Sequence, residues 1–150
     1  MKNIPARALA ILLALLAAVS LIACKPPEKL NICDFDGFKN LRDIPAEASK
    51  LVVNFNDDLT GEFEITEEAT VKEVMDILLG NTYVRRVRSS ELGAGGNGTL
   101  RVITDAPNGV EYRISLHKLE KGGYYYTPET GALDAKLREI GLECGALKVR

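Results

Sequence analysis

Leu51-Val52-Val53-Asn54-Phe55-Asn56-Asp57-Asp58-Leu59-Thr60-Gly61-Glu62-Phe63-Glu64-Ile65 is the stretch that decides the architecture. Apolar side chains recur at 51, 53 and 55 and again at 63 and 65, the period of a half-buried strand, and the Asn/Asp cluster between them supplies a turn. The reading is a β-hairpin. Immediately afterwards the period changes: Val71, Val74, Met75 and Leu78 are spaced i, i+3, i+4, i+7. Thr70 and Glu73 form the pattern of a capping box, and Gly80 falls where a C′ glycine would end the helix. The spacing predicts an amphipathic helix of about ten residues.

Beyond the helix the period returns to two in Tyr83 to Arg88, Thr99 to Thr104, Val110 to His117 and Tyr124 to Thr127. Asn108-Gly109 and Gly122-Gly123 are hairpin turns between such runs. The four runs are therefore expected to form an antiparallel meander. Leu133, Leu137 and Ile140 then predict a second amphipathic helix, entered from Pro128-Glu129-Thr130-Gly131. The order is β-β-α-β-β-β-β-α, an α+β fold of two layers with one antiparallel sheet of about six strands and two helices on one face. Leu51, Val53, Phe55, Phe63, Ile65, Leu100, Val102, Val110, Tyr112, Ile114 and Leu116 are placed inward. Glu62, Glu64, Arg86, Arg88, Arg101, Glu111, Arg113 and His117 are placed on the opposite face. Residues 30 to 45 carry apolar side chains without a clean period and read as an irregular or short helical lead-in. The segment from Leu59 to Leu78 resembles the hairpin-and-helix opening of ubiquitin-like β-grasp domains, although a four-strand meander departs from that fold.

The amino terminus gives the location. Lys2 and Arg7 precede an apolar run from Ala8, about 15 residues long, that ends in Leu21-Ile22-Ala23-Cys24. That pattern resembles the lipobox of bacterial lipoproteins. The resemblance implies a signal peptide over 1–23, lipid on the Cys24 thiol, and attachment outside the cytoplasm to the cell membrane or outer membrane. Lys25-Pro26-Pro27-Glu28-Lys29 is charged and proline-broken, so residues 24–30 read as a tether before a single domain over 31–150. The body also resembles small extracytoplasmic lipoproteins of bacteria with a helix after an early strand pair, a resemblance that carries no activity.

Removing residues 1–23 takes away two cations and no acid, so the formal charge of −2 becomes −4, which offers no footprint for nucleic acid. With Cys24 lipidated, Cys33 and Cys144 are left as an even pair, which predicts a disulfide in an oxidising compartment. No CxxC or HxxxH occurs, so no metal site and no cofactor are expected.

Each catalytic motif fails on context. Ser115-Leu116-His117-Lys118 matches an SxxK, but in a strand i and i+3 point to opposite faces. Asp34-Phe35-Asp36-Gly37 resembles a phosphatase nucleophile motif without the βαβ body it needs, and reads as a turn. Gly93 to Gly98 leads into a strand rather than a helix that would hold a phosphate. His117 lacks a nucleophile with a third orienting group. Arg86, Arg88, Arg101 and Arg113 remain: on neighbouring strands they would lie about 5 Å apart, forming either an anion-binding face or a set of cross-strand ion pairs with Glu62, Glu64 and Glu111. The expectation is a non-catalytic binding or interaction module for an envelope protein or peptide. A small envelope hydrolase or inhibitor-type protein, and a structural envelope lipoprotein, are the alternatives.

Overall fold

The computed structural model describes residues 28–44, 48–88, 98–105 and 109–149, with the backbone alone at Val87 and Arg88. The signal and lipobox residues, most of the glycine-rich segment and Asn108 lie outside them. The hairpin at the centre forms as the alternation requires: β2 (Ala48–Asn56) pairs with β3 (Leu59–Ile65), Val53 opposite Phe63. Its turn is held by Asp57, whose carboxylate accepts the Leu59 amide at 3.1 Å. On the other side β2 pairs with β5 (Gly98–Thr104), which pairs with β6 (Glu111–Ser115). With β9 (Lys148–Val149) against the start of β3, these strands make a five-stranded antiparallel sheet in the order β6-β5-β2-β3-β9.

The strands do not form the single expected meander but two sheets. A second, four-stranded antiparallel sheet has the order β1-β4-β8-β7, built from β1 (Lys29–Asn31), β4 (Thr82–Arg88), β7 (Leu119–Lys121) and β8 (Tyr124–Pro128). β4 therefore passes over its sequence neighbour β5 and pairs with β8 and with β1. The hairpins around Gly109 and Gly122-Gly123 both form, in different sheets. The β1 pairing also takes Lys29 and Leu30 out of the expected tether and into the domain.

Among the described residues the fold is α+β with two α-helices. The first, α1 (Glu68–Gly80), buries Val71, Val74, Met75 and Leu78 as its spacing predicts. Its ends differ from expectation: the helix starts before Thr70, whose hydroxyl donates to the Glu67 carboxylate at 2.7 Å, and Gly80 is still helical. The second, α2 (Ala132–Glu143), packs on α1 and buries Leu133 and Leu137. Gly141 brings α2 close to β3 and the C-terminal return, because a Cβ there would lie 2.6 Å from Phe63 and Leu147 side-chain atoms.

One hydrophobic cluster takes side chains from both sheets, both helices and the lead-in. Ile32, Phe35, Leu41 and Ile44 are all buried in it, two of them in 3-10 turns (Ile32–Asp34 and Leu41–Asp43) that leave no helical or strand period in the sequence. Phe35 meets Tyr83 and Tyr126 edge-on, with ring centroids 5.5 and 5.3 Å apart, and so fills the space under the four-stranded sheet. Burial pushes the Tyr83 phenol up to about 12, against a hydrogen bond with Asn81. Of the residues expected inward, Val110 is the exception at 44% exposed, and Tyr112 is half-buried.

Candidate functional site

The four arginines do not form one cluster. Arg101 on β5 and Arg113 on β6 stand directly opposite each other on the outer face of the five-stranded sheet. Arg86 lies on β4 in the other sheet, where its Nε donates to the Thr127 hydroxyl at 3.0 Å. The backbone of Arg88 pairs with Tyr124, and its side chain lies outside the described residues. The joint face of four is thus reduced to a pair, because β4 left the sheet in which parity had placed it.

Around that pair the outer face is a charged lattice over an apolar floor. Rows across the strands run Glu64, Val52, Arg101, Arg113 and Glu62, Asn54, Thr99, Ser115. Val52 belongs to this face rather than the core, yet is only 2% exposed, since the long side chains beside it close over it. Arg101 approaches Glu111 at 3.7 Å, Lys50 binds Glu64 at 2.9 Å, and Asn54 donates to Glu62 at 3.4 Å. Those are the cross-strand pairs expected of a solvated face. Arg113 is exposed and faces a like charge, which costs rather than stabilises.

A second polar cluster was not anticipated. Arg138 on α2 reaches three carboxylates: Asp57 at 2.5 Å, Asp58 at 2.7 Å and Asp134 at 2.7 Å. Its guanidinium stacks over Phe55, 4.7 Å from the ring centroid. Partial burial disfavours its charge, but the hydrogen bonds to Asp58, Asp134 and Asp57 outweigh that and raise its pKa. The Arg138 hydrogen bond likewise holds the Asp58 carboxyl below the usual range. The arrangement clamps the β2–β3 turn onto α2. Asp134 and Arg138 are an i, i+4 pair, the signal in the sequence that marks this face of the helix.

His117 belongs beside this clamp, not on the arginine face. Its Nε2 lies 3.7 Å from Asp57 Oδ2 and is buried without a hydrogen-bond partner among the described residues, as is Asp134 Oδ1. Both residues line a cleft of about 280 Å³ with Leu116, Thr127, Pro128 and the start of α2. Among the described residues the hydroxyls of that cleft come from Thr127 and Thr130, and no Ser or Cys lines it.

The remaining motifs resolve into structure. Asp34 accepts the Asn31 amide at 2.7 Å while Phe35 is buried, so the DFDG segment is a capped turn. Lys118 lies past the end of β6, with its ammonium 4.6 Å from the centroid of the Tyr125 ring. The expected disulfide is absent. Cys33 and Cys144 are both free, Cys33 half-buried in the turn after β1 and Cys144 exposed beyond α2, donating to Gly141 O at 3.4 Å. Among the described residues no group of three or more His, Cys, Asp and Glu could hold a metal ion, and no helix is long and apolar enough to cross a membrane. Comparison with known proteins gives no matching family model, no matching curated protein and no matching solved structure.

Proposed function

We propose that the chain is a lipoprotein of the bacterial cell envelope, anchored through Cys24 and working outside the cytoplasm as a non-catalytic interaction module. The tether rests on the Leu21-Ile22-Ala23-Cys24 pattern with its basic and apolar approach. The binding role rests on the outer face of the five-stranded sheet, where Arg101 and Arg113 are held opposite each other at a cost that a bound carboxylate would remove. Two acyl chains on one cysteine provide the two signals that stable membrane attachment needs.

Labelling with radioactive palmitate tests the anchor. The wild-type chain should take up label and partition into detergent, and Cys24→Ser should do neither; equal labelling of the two would exclude lipid on Cys24. For the face, Arg101→Glu with Arg113→Glu should abolish capture of a membrane partner by the full chain, and unchanged capture would return both arginines to a solvated lattice. A small envelope hydrolase is the second reading, favoured by the cleft that holds His117 and Asp134. Against it, Asp57 is already taken by Arg138, and the Thr127 hydroxyl already receives Arg86.

A further inference from the structure

Among the described residues the five-stranded sheet ends in an open strand. β6 is its outermost member with five residues, whereas the other outer strands have three (β1), three (β7) and two (β9). Short edges protect themselves, and β6 is the edge long enough to accept another strand.

The hairpin shows which main-chain groups are spare. Thr104 N–H donates to Val110 O at 3.3 Å, and Leu116 N–H donates to Gly98 O at 3.0 Å. Hydrogen-bonded and non-hydrogen-bonded pairs alternate along an antiparallel ladder, and the register between these two bonds pairs Tyr112 with Val102 and Ile114 with Leu100. Val110, Tyr112, Ile114 and Leu116 therefore turn their amides and carbonyls toward β5. Glu111, Arg113 and Ser115 turn theirs away from the sheet, and the side chains of Glu111 and Arg113 stand exposed on its outer face.

We infer that β6 pairs with β6 of a second copy of this chain, antiparallel about a two-fold axis, with Glu111 of each copy opposite Arg113 of the other and Tyr112 opposite Tyr112. The charge pattern selects this register. It forms two opposite-charge pairs at once, while the next register that satisfies the spare main-chain groups sets Arg113 against Arg113. Glu111, which already faces Arg101 at 3.7 Å, then lies between two guanidinium groups, and Arg113, without a carboxylate partner among the described residues, gains one. On the inner face the pairing covers Val110, 44% exposed, next to Ile114 of the other copy. Tyr112 lines two surface clefts of about 300 and 270 Å³, one shared with Val110 and Thr104 and the other with Gly37 and Lys39. A five-residue strand pair buries less than the roughly 800 Å² per partner of a standard interface, so the dimer is weak in dilute solution. Confinement to a membrane raises its population, and that part rests on the anchor proposed above.

Cysteine cross-linking in membranes tests the register, using the full chain with Cys33→Ser and Cys144→Ser. Tyr112 pairs with itself at a Cα separation of about 4.5 Å, within disulfide reach, so Tyr112→Cys should give a covalent dimer under mild oxidation. Because Tyr112 is half-buried, the exposed positions provide a second measurement. Glu111→Cys and Arg113→Cys should each cross-link poorly alone and well when the two chains are co-expressed. Adding Glu111→Arg or Arg113→Glu to Tyr112→Cys should lower the dimer yield several-fold, and adding both should restore it. No dimer at position 112 or in the mixture, equal dimer at 111, 112 and 113, or a yield indifferent to charge would each overturn the pairing and leave the edge to a foreign strand. The two proposals fail separately: an unlabelled chain that still cross-links at 112 in concentrated solution removes the anchor alone, and a labelled chain that does not removes the dimer alone.

Discussion

The two sheets are built from different kinds of sequence. In the five-stranded sheet the long strands are seven to nine residues, and the pairs β2–β3 and β5–β6 join sequence neighbours across short turns. The four-stranded sheet has one local hairpin, β7–β8, and is otherwise assembled from distant pieces: β1 near residue 30 lies on β4, and β4 on β8, some forty residues later. Alternation and turn chemistry specify the two hairpins of the first, which β2 and β5 then join over some fifty residues of chain. The second depends on what lies beneath it, the Phe35, Tyr83 and Tyr126 rings, two of which belong to β4 and β8 and one to an irregular turn. A strand with a local partner is pinned by its turn, while one with a distant partner is pinned by a shared filling.

The largest expected effect follows from that filling. Phe35→Ala removes a fully buried ring and both edge-on contacts, and should cost about 3–5 kcal/mol. Hydrogen exchange should show the amides of β4 and β8 opening before those of β2 and β5; uniform loss of protection would mean that the two sheets open as one. Leu78→Ala, on the buried face of α1, should cost about 2–5 kcal/mol in urea unfolding, while Lys72→Ala on its exposed side should cost under ~0.5. Similar costs would show that α1 has no preferred face.

Arg138→Ala should lower Tm by about 4–8 °C, since it frees the β2–β3 turn from α2 and leaves Asp57, Asp58 and Asp134 to repel one another. The pH dependence has a definite sign. Asp58 has a folded pKa below its ordinary 3.8, so its contribution is complete above that value and is lost as pH falls through the lower, folded one. The gap in Tm between wild type and variant should hold from pH 7 to about 5 and narrow below about 4; a gap unchanged down to about pH 2 would show that Asp58 contributes nothing through Arg138. The smallest effect concerns the thiols. In the folded protein Cys144 should react with a thiol reagent well before Cys33, and reducing agent should leave Tm unchanged; a fall in Tm on reduction would indicate a Cys33–Cys144 bridge.

Local rules account for most of what the sequence revealed. The β2–β3 hairpin, the buried face of α1, the two glycine-marked hairpins and the outward parity of Arg101 and Arg113 all follow from period and turn chemistry. The placement of β4 does not, because residues 82–88 alternate equally well for either sheet, and nothing in them chooses β8 over β5. Arg86 goes with it. His117 departs from strand parity for a related reason: the alternation of the sequence runs on through Leu116, but β6 ends at Ser115, and the chain then turns His117 toward Asp57. Arg138 was legible only as half of an i, i+4 pair, since its other two carboxylates lie some eighty residues away.

Glu28 is fastened at three points: its carbonyl accepts the Arg85 amide at 2.9 Å, its carboxylate receives the Tyr126 hydroxyl at 2.8 Å, and Arg85 approaches at 3.5 Å. With lipid on Cys24, this leaves four residue steps between bilayer and domain, a leash of about 14 Å at full stretch. The protein is then less a lure cast into the envelope than a stud set close against its surface. On that proposal the corner where β1 meets β4 lies nearest the bilayer, and targets are met close to the membrane surface.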